Sequence, residues 1–368
     1  MNYLQEKGLD AIARGTNSTT LEWLNGSSLY YWRWHPDLIT SALLGFEPYV
    51  TTRLPRSFKP AKRPMGPAYD KLLAKFVKFI RRKYFVFPHP KSIKNCIDYF
   101  YVSKGSDDIL LVFNGTSCGL TDALWCPSFW LPNAKSLLRS ATFNSKFVDL
   151  DFGEMFHNCL LHPSLIPFSG VDLTPFRKDL DSLGLTSHLK GSKLLATWTR
   201  TWMGLKTSPE HCVRYYYFLE ELIRGNQRET NNPMRFDKII LNIFGNEDYN
   251  PTLSNVIKWD EKFNRVAGDI KAYVDDLRAI GVSTDHAWKI ARWACSRIQF
   301  VGTQDAARKR RLDHGPWAGT IFITDDNGIY KSVEQSKWDK SRAYLHEFKR
   351  ILESNNGLFN YRCLEIIR

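Results

Sequence analysis

The stretch KAYVDDLRAIG, residues 271–281, places two adjacent acids, Asp275 and Asp276, at the end of an apolar run. A second apolar run follows at once, so the pattern predicts two strands joined by a tight turn. Taken alone, paired aspartates between two strands are typical of an ordinary hairpin turn, because Asp favours turns. Whether the acids carry chemistry therefore depends on the other segments that the fold brings to them.

The chain is strongly basic. It holds 51 Lys and Arg against 38 Asp and Glu, a formal net charge of +13, and 14% of its residues are aromatic. This combination favours a polyanion such as nucleic acid as the partner. The cations concentrate in two clusters, one from Arg53 to Lys94 and one in ARKRRLD, residues 307–313. Either cluster is equally compatible with an ordinary solvated surface.

Length and cysteine usage limit the class of protein. A chain of 368 residues exceeds one typical domain, which predicts two or three subdomains. The seven cysteines form no CxxC pair and their number is odd, so we expect reduced, mostly buried thiols in an intracellular protein of the cytoplasm or nucleus. No signal-peptide pattern and no apolar run of membrane-spanning length is present, so no membrane association is expected.

Periodicity and turn residues predict the main elements. The expected helices cover 67–83, with Phe76 and Phe79 buried, 209–224 after an N-cap at Ser208, a stretch after a cap at Thr284 or Asp285, and 336–353. The expected hairpins lie in 96–115, with its turn at 105–108, and in 315–333, with an Asn-Gly turn. Residues 1–60 predict an irregular extension without a motif, and 225–268 a polar insertion with one strand, FDKIILNIF.

Two further segments complete a pattern around the paired acids. In SKFVDLDFGEMF, residues 145–156, Asp149 and Asp151 alternate along a strand and so share one face. In MGLKTSP, residues 203–209, a turn opens a helix. Carboxylates from separate segments that converge on two divalent ions can activate a hydroxyl and stabilise a leaving oxygen in phosphoryl transfer. The order of strand, turn with helix, and acidic hairpin therefore indicates two-metal chemistry.

The segments VDLDFGEMF, MGLKTSP and YVDD, in this order, resemble motifs A, B and C of the reverse transcriptases of retroelements. The run VFNGTSCGLTDALWCPSFWLPNAKSLLR also resembles the fingers segment that precedes motif A in some retrotransposon enzymes. The resemblance spans residues 90–340 approximately. It implies an α+β right-hand polymerase fold, with fingers, a ferredoxin-like palm and the start of a thumb.

The resemblance also implies an order of domains along the chain. That order is an N-terminal extension at 1–60, the first part of the fingers at 61–140, palm motif A at 141–157, the second part of the fingers at 158–203, the palm with motifs B and C at 204–330, including the insertion at 225–268, and the start of a truncated thumb at 331–368. Such an order is expected of a truncated element copy or of a segment of a longer polyprotein.

The metal ligands follow from the same resemblance. Asp151 takes the metal-binding position of motif A, with the backbone carbonyl of Phe152 as its companion ligand. Asp275 and Asp276 supply the acids of motif C. The resemblance implies two Mg²⁺ ions, which Mn²⁺ can replace. Five residues after Asp151, Phe156 stands where the family places an aromatic ring that excludes a ribose 2′-hydroxyl, which implies deoxynucleotide substrates.

Further positions are implied to contact nucleotide, primer or template. The nucleotide-binding set is Lys104, Glu154, Met155, Phe156, Met203 and Gly204, and the primer and template set is Lys206, Tyr273, Trp317 and Gly319. Lys104 matches a triphosphate-contacting lysine, and Trp317 with Gly319 matches the primer grip. The alternatives are a solvated hairpin lysine for Lys104 and a core tryptophan for Trp317.

The implied function is an RNA-directed DNA polymerase that extends a DNA or RNA primer on an RNA template with dNTPs. One alternative is an RNA-dependent RNA polymerase, whose palm is similar, although the ring of Phe156 argues against it. The other is an inactive or domesticated relative that binds nucleic acid without extending it. Leu110, which replaces an Arg that is common in the family, and the short thumb favour the latter, whereas the three acids oppose it. The oligomeric state stays open.

Overall fold

The computed structural model of the protein describes residues 44–64, 66–105, 107–300 and 315–354, except for the side chains of residues 218, 221, 299 and 300. Three sequence predictions fall wholly or partly outside these residues: the basic run at 307–313, most of the extension at 1–60, and the end of the thumb after residue 354.

Helices and strands are mixed along the chain, as the α+β class requires. The helices are α1 (Pro67–Arg81), α2 (Leu120–Ala123), α3 (Ala134–Leu138), α4 (Met155–Asn158), α5 (Arg177–Ser182), α6 (Ser208–Arg224), α7 (Thr284–Phe300) and α8 (Gln335–Ser354). The strands are β1 (Tyr49–Val50), β2 (Phe85–Val86), β3 (Asp98–Lys104), β4 (Asp108–Asn114), β5 (Leu124–Trp125), β6 (Lys146–Asp151), β7 (Gly170–Asp172), β8 (Leu195–Trp198), β9 (Lys238–Leu241), β10 (Val256–Asp260), β11 (Arg265–Val266), β12 (Asp269–Tyr273), β13 (Asp276–Gly281), β14 (Ile321–Thr324) and β15 (Ile329–Ser332).

The described residues belong to two compact units. The first takes its described residues from 44–131, 151–232 and 292–300, and the second from 132–150, 233–291 and 315–354. The first unit contains the β3–β4 hairpin and the sheets β2-β8-β7 and β1-β5. The second contains the sheets β12-β13-β6, β11-β10-β9 and β14-β15. The boundary falls at the last residue of β6, so the strand itself is continuous.

Helix α1 packs its apolar face into the first unit. Leu72, Phe76 and Phe79 recur at helical spacing and are buried, as the sequence predicts. The helix ends at Arg81, two residues before the predicted end. The cause is Lys83, which adopts φ 57°, so that the Tyr84 N–H donates to the Phe79 carbonyl at 2.9 Å and closes the end of the helix.

Trp198 occupies the centre of the aromatic core of the first unit. Its ring centroid lies 4.5 Å from that of Phe85, 5.0 Å from Phe113, and 5.2 Å from both Phe79 and His157. Trp198 belongs to β8, the middle strand of its sheet, and is fully buried. Packed rings bury much apolar area and gain about 0.5–1.5 kcal/mol per pair beyond it. This core therefore fixes helix α1 and the β3–β4 hairpin on one unit.

The β3–β4 hairpin has one buried and one outward face. Its register pairs Val102 with Leu110 and Lys104 with Asp108. Ile109, Leu111 and Phe113 are buried, whereas Leu110 is half-buried. Because directly opposed residues share a face, Leu110 lies beside Val102 on the outward side.

The second unit differs from the sequence prediction in its insertion and agrees with it at its last hairpin. The insertion at 225–268 holds three strands, β9, β10 and β11, rather than one. The hairpin β14–β15 turns over four residues, because the Asp325 carboxylate accepts from the N–H groups of Asn327 and Gly328 at 2.8 and 2.9 Å. Asn327 and Gly328 lie in this turn, as the sequence predicts, and side-chain capping by Asp325 closes it.

Two predicted helix caps are also corrected. Helix α7 is capped by Ser283, one residue earlier than predicted, since its Oγ accepts from the His286 N–H at 3.2 Å. Ser208 is the first residue of α6, and its hydroxyl donates to the Trp202 carbonyl at 2.8 Å instead of capping the helix.

Two predictions about the class of protein concern the cysteines and membrane-spanning helices. The cysteines within the described residues are free, and Cys126 alone among them is half-buried rather than buried. No helix in the described ranges combines the length and the apolar character needed to cross a bilayer.

His157 should make the stability of the protein depend on pH. Burial lowers its pKa to about 4, below the value of about 6.5 in an unfolded chain. As the pH falls, His157 takes up a proton in the unfolded chain before it does so in the folded protein. Its contribution to the free energy of unfolding is therefore complete above about pH 6.5 and falls by about 3 kcal/mol toward about pH 4. The free energy of unfolding, measured in urea, should fall between about pH 6.5 and about pH 4 by about 3 kcal/mol less in His157→Phe than in the parent.

The matched control is His346→Phe, at an exposed position of α8. It should keep the pH dependence of the parent. An unchanged pH dependence in His157→Phe would show that this histidine does not titrate with unfolding.

Candidate active site

The acidic hairpin is the tight turn between β12 and β13. Tyr273 pairs with Asp276, which leaves Val274 and Asp275 as the two loop residues. Val274 adopts φ 56°, a conformation that β-branched residues rarely take and that costs of order 1–3 kcal/mol. The hairpin therefore keeps a strained residue directly beside its two acids.

A third acid reaches the hairpin from the neighbouring strand. Strand β13 is the central strand of the sheet, β6 lies next to it, and Asp151 is the last residue of β6. One carboxylate oxygen from each of Asp151, Asp275 and Asp276 lies within 4.8 Å of the others. Asp151 is only 5% exposed. The sequence prediction that these three acids converge is confirmed.

The chemistry of this donor set fits a hard divalent cation. Three carboxylates supply oxygen ligands, which Mg²⁺ and Mn²⁺ prefer over nitrogen or sulfur. Within the described residues no other group of three or more His, Cys, Asp or Glu brings its ligand atoms together in this way. The residues present therefore suit the Mg²⁺ that the sequence predicts.

A buried ion pair lies beside the acids in the same sheet. The Arg278 guanidinium donates from Nε to Asp149 Oδ1 at 2.7 Å and from Nη2 to Oδ2 at 2.9 Å. Nη2 also donates to the Gly315 carbonyl at 2.7 Å, and Arg278 is 0% exposed. Asp149 stands two residues before Asp151 on β6, and Arg278 two residues after Asp276 on β13. The pair therefore ties together the two strands that carry the acids.

Trp317 supports the hairpin from the core and corrects its predicted role. It is 1% exposed, and its Nε1–H donates to the Asp276 carbonyl at 3.1 Å. The Trp317 and Tyr273 ring centroids are 6.2 Å apart. Because the indole is enclosed, it cannot press on a primer, so the alternative interpretation as a core tryptophan holds. Tyr273 is half-buried and stays a predicted primer contact.

Gly319 belongs to a tight turn after Trp317. Trp317 and Thr320 exchange backbone hydrogen bonds at 2.9 and 3.0 Å, and the two residues between them, Ala318 and Gly319, have φ 49° and 75°. Two successive positive φ values favour Gly. Lys337 of α8 donates to the Gly319 carbonyl at 3.3 Å. A primer contact of Gly319 stays a prediction.

Glu154 differs from the nucleotide-binding role predicted for it. Its carboxylate pairs with Lys78 and with Arg82, and it accepts from the Tyr84 hydroxyl at 3.1 Å. Burial acts to raise the pKa of this carboxyl, but the two cations hold it below its ordinary value. The Glu154 side chain is therefore directed at the protein, and a nucleotide contact through its backbone stays a prediction.

The other motif A positions have different environments. Met155 is buried, so it can contact a nucleotide only through its backbone, and Phe152 is buried with its ring 5.7 Å from that of Tyr216. Phe156 is half-buried, and its carbonyl accepts from the Thr201 hydroxyl. The backbone of Phe156 is thus fixed, and its predicted role under the sugar stays a prediction.

The turn of motif B depends on Gly204. This residue has φ 103°, and a Cβ built on it would lie 1.8 Å from the Phe113 carbonyl oxygen of β4. The Met203 carbonyl accepts from the Phe113 N–H at 3.0 Å. Only glycine fits such a close approach. Gly204 is exposed and Met203 is half-buried, and their nucleotide contacts stay predictions.

Two lysines with predicted substrate contacts are exposed. Lys104 is the last residue of β3, at the turn of its hairpin. Lys206 already donates to the Leu124 carbonyl at 2.6 Å, so its ammonium is directed at the fold and the prediction that it faces nucleic acid is weakened. The triphosphate contact of Lys104 stays a prediction.

Sequence reasoning missed Arg278, Lys78 and Arg82. The signal for Arg278 was its alternation with Asp276, which matches that of Asp149 with Asp151. The signal for Lys78 and Arg82 was their four-residue spacing at the end of α1, which places both cations on one side of the helix.

Comparisons with known proteins support the fold but no family. No protein-family profile matches the chain, and no curated protein matches it either. Among solved structures it resembles a foamy viral protease-reverse transcriptase dRH in complex with double-stranded DNA, with a TM-score of 0.53 and 11% sequence identity. The match covers 96% of this chain and 52% of that one, so this chain spans about half of its length. The fold is reverse-transcriptase-like.

Loss of Arg278 should destabilise the protein strongly. Arg278→Met leaves the Asp149 carboxylate buried without its counter-ion, which typically costs about 3–5 kcal/mol in the free energy of unfolding. The double variant Asp149→Leu, Arg278→Met removes both charges and should recover most of this loss. Urea unfolding followed by far-UV circular dichroism measures both.

The matched control is Lys289→Met, which breaks the exposed pair with Asp285 at 2.7 Å. An exposed pair contributes about 0–1 kcal/mol, so this variant should stay close to the parent. If Arg278→Met were no more harmful than Lys289→Met, the buried pair would not hold the sheet.

Proposed function

We propose that this protein is a nucleotidyltransferase of the reverse-transcriptase kind, which extends a primer 3′-hydroxyl with dNTPs on an RNA template. One observation carries the proposal: Asp151, Asp275 and Asp276 bring carboxylate oxygens within 4.8 Å of one another at the end of one sheet. The likeness of the fold to a reverse transcriptase supports it.

The chain's own residues would supply the metal-binding and positioning parts of the reaction. Asp151, Asp275 and Asp276 would hold two Mg²⁺, with Mn²⁺ as a substitute. Ions bound there would make the primer hydroxyl more acidic and offset the charge on the α-phosphate and on the leaving pyrophosphate. Arg278 and Asp149 keep the acid-bearing strands together, and Trp317 holds the hairpin backbone.

The substrate preference rests on residues of the first unit. The ring of Phe156 would lie under the sugar and exclude a ribose 2′-hydroxyl, which favours dNTPs and disfavours an RNA-dependent RNA polymerase. Lys104, exposed at the end of β3, would contact the triphosphate. Gly204 and Met203 would back the templating base from the turn before α6.

A second candidate function is nucleic-acid binding without extension. The observation in its favour is Leu110, which is half-buried beside Val102 on the outward face of β4, where a triphosphate-contacting Arg is common. An apolar residue there removes one expected contact to the nucleotide. Three acids in metal-binding geometry argue against this candidate.

Primer extension tests the proposal directly. Purified protein, a DNA primer annealed to an RNA template, and Mg²⁺ or Mn²⁺ should give products with dNTPs and far fewer with NTPs. Asp275→Asn should lower the rate at least about 100-fold, because losing a metal ligand removes several kcal/mol of transition-state stabilisation. Gel analysis of the extended primer measures both.

Asp248→Asn, an exposed acid in the loop between β9 and β10, is the matched control and should keep the parental rate. Extension that survives Asp275→Asn would exclude the proposed mechanism. Bound template without extension by the parent in either metal would favour the second candidate.

A further inference from the structure

The segment from Tyr49 to Arg63 is a run of cations without acids. Glu47 and Asp70 are the nearest acidic residues along the sequence, and five cations lie between them: Arg53, Arg56, Lys59, Lys62 and Arg63. All five are exposed. We call residues 49–63 the cationic strap. Apart from the short strand β1 it has no regular secondary structure.

Backbone contacts fix the cationic strap to the first unit. Tyr49 pairs with Trp125 between β1 and β5, and the Thr51 N–H donates to the Ala123 carbonyl at 3.0 Å. The Ser57 N–H donates to Asn95 Oδ1 at 2.9 Å, and the Ser57 carbonyl accepts from the Cys96 N–H at 2.7 Å. The main chain is therefore used for attachment. The side chains of Arg53, Arg56, Lys59 and Lys62 stay exposed, whereas the Arg63 guanidinium lies over the Tyr69 ring at 5.3 Å.

The cations recur at every third position. Arg53, Arg56, Lys59 and Lys62 follow this period, and among the described residues none of the four has an ion-pair partner. Leu54, between the first two, packs instead on the core. In an extended chain with three residues per turn, every third residue lies on one edge, about 9 Å from the next. Like charges repeated along so short a segment repel one another until a polyanion lies along them.

Exposed rings accompany the cations. Tyr49 is 59% exposed, Phe58 53% and Trp125 48%. The Tyr49 and Trp125 ring centroids lie 5.3 Å apart in an edge-to-face pair, so these two rings support each other in the exposed position. Rings open to water beside regularly spaced cations are the composition of surfaces on which single-stranded nucleic acid stacks its bases.

We propose that the cationic strap binds a single-stranded stretch of RNA or DNA. Arg53, Arg56, Lys59 and Lys62 contact successive phosphates, and the rings of Tyr49, Phe58 and Trp125 take unpaired bases. The identity of this strand as the template rests on the proposed polymerase function. Binding itself needs no metal acid and no extension.

The test is binding of a fluorescent 20-nucleotide oligouridine by the full chain, followed by anisotropy at several salt concentrations. The strap variant carries Arg53→Gln, Arg56→Gln, Lys59→Gln and Lys62→Gln. The control variant carries Lys238→Gln, Lys262→Gln, Lys331→Gln and Lys340→Gln, which removes the same charge at exposed positions of the second unit. Because both variants lose four positive charges, a difference in their RNA affinity reports the position of the cations and not the net charge of the protein.

The strap variant should bind at least about 10-fold more weakly at about 0.1 M salt. The slope of log affinity against log salt concentration should become less steep by about 3, since each of the four phosphate contacts contributes about 0.7 to that slope. The control variant should change little.

Trp125→Ala should weaken binding of oligouridine more than binding of an abasic oligomer of equal length, because only the former offers bases. A DNA oligomer should behave like the RNA.

Equal losses in the two four-site variants would overturn the proposal, because binding would then follow net charge alone. An unchanged affinity in the strap variant would overturn it too. So would a strap variant that keeps RNA binding but loses binding to vesicles of anionic phospholipid. An Asp275→Asn protein serves as a parallel parent: the strap effect must persist in it, so failure of the polymerase proposal remains distinguishable from failure of this one.

Discussion

The buried ion pair between Asp149 and Arg278 is the interaction on which the acidic site depends. Three carboxylates within 4.8 Å of one another repel, and the sheet must hold them there before any cation arrives. The bidentate pair at 2.7 and 2.9 Å fixes one residue of β6 against one of β13, in addition to backbone pairing. The cost of burying both charges is offset only in this geometry. The pair therefore fixes the strands that carry the acids, although apolar residues in its place should leave the free energy of unfolding close to that of the parent.

The convergence of the acids was predictable because VDLDFGEMF, MGLKTSP and YVDD, in this order, resemble motifs A, B and C, and the resemblance implies that Asp151 lies with Asp275 and Asp276. The partner of Asp149 was not predictable in this way, because Arg278 lies outside these motif segments and 129 residues from Asp149. Trp317 shows the same limit: the motif around it is visible in the sequence, but its burial depends on Phe147, Ile280 and Phe322, which join it only in the folded core. The early end of α1 at Lys83 and the three strands within 225–268 likewise depend on tertiary packing that overrides local preference.

Glu154 illustrates why a resemblance does not fix the role of each residue in a motif. It stands in a segment that resembles motif A, yet Lys78 and Arg82 neutralise its carboxylate. The cationic cluster that the sequence shows from Arg53 to Lys94 therefore contains cations with different uses. Lys78 and Arg82 pair with an acid of the protein, whereas Arg53, Arg56, Lys59 and Lys62 are exposed. Composition alone does not separate these uses, and only the contacts of each side chain do.

Binding of Mn²⁺ tests the account most directly, because it asks whether the three carboxylates form a metal site independently of polymerisation. Electron paramagnetic resonance of a Mn²⁺ titration reports the free ion. The account predicts saturable binding by the parent and by Asp248→Asn, and loss of that binding in Asp151→Asn and Asp275→Asn. Equal binding by the parent and all three variants would contradict a metal site at these acids, and with it the proposed chemistry.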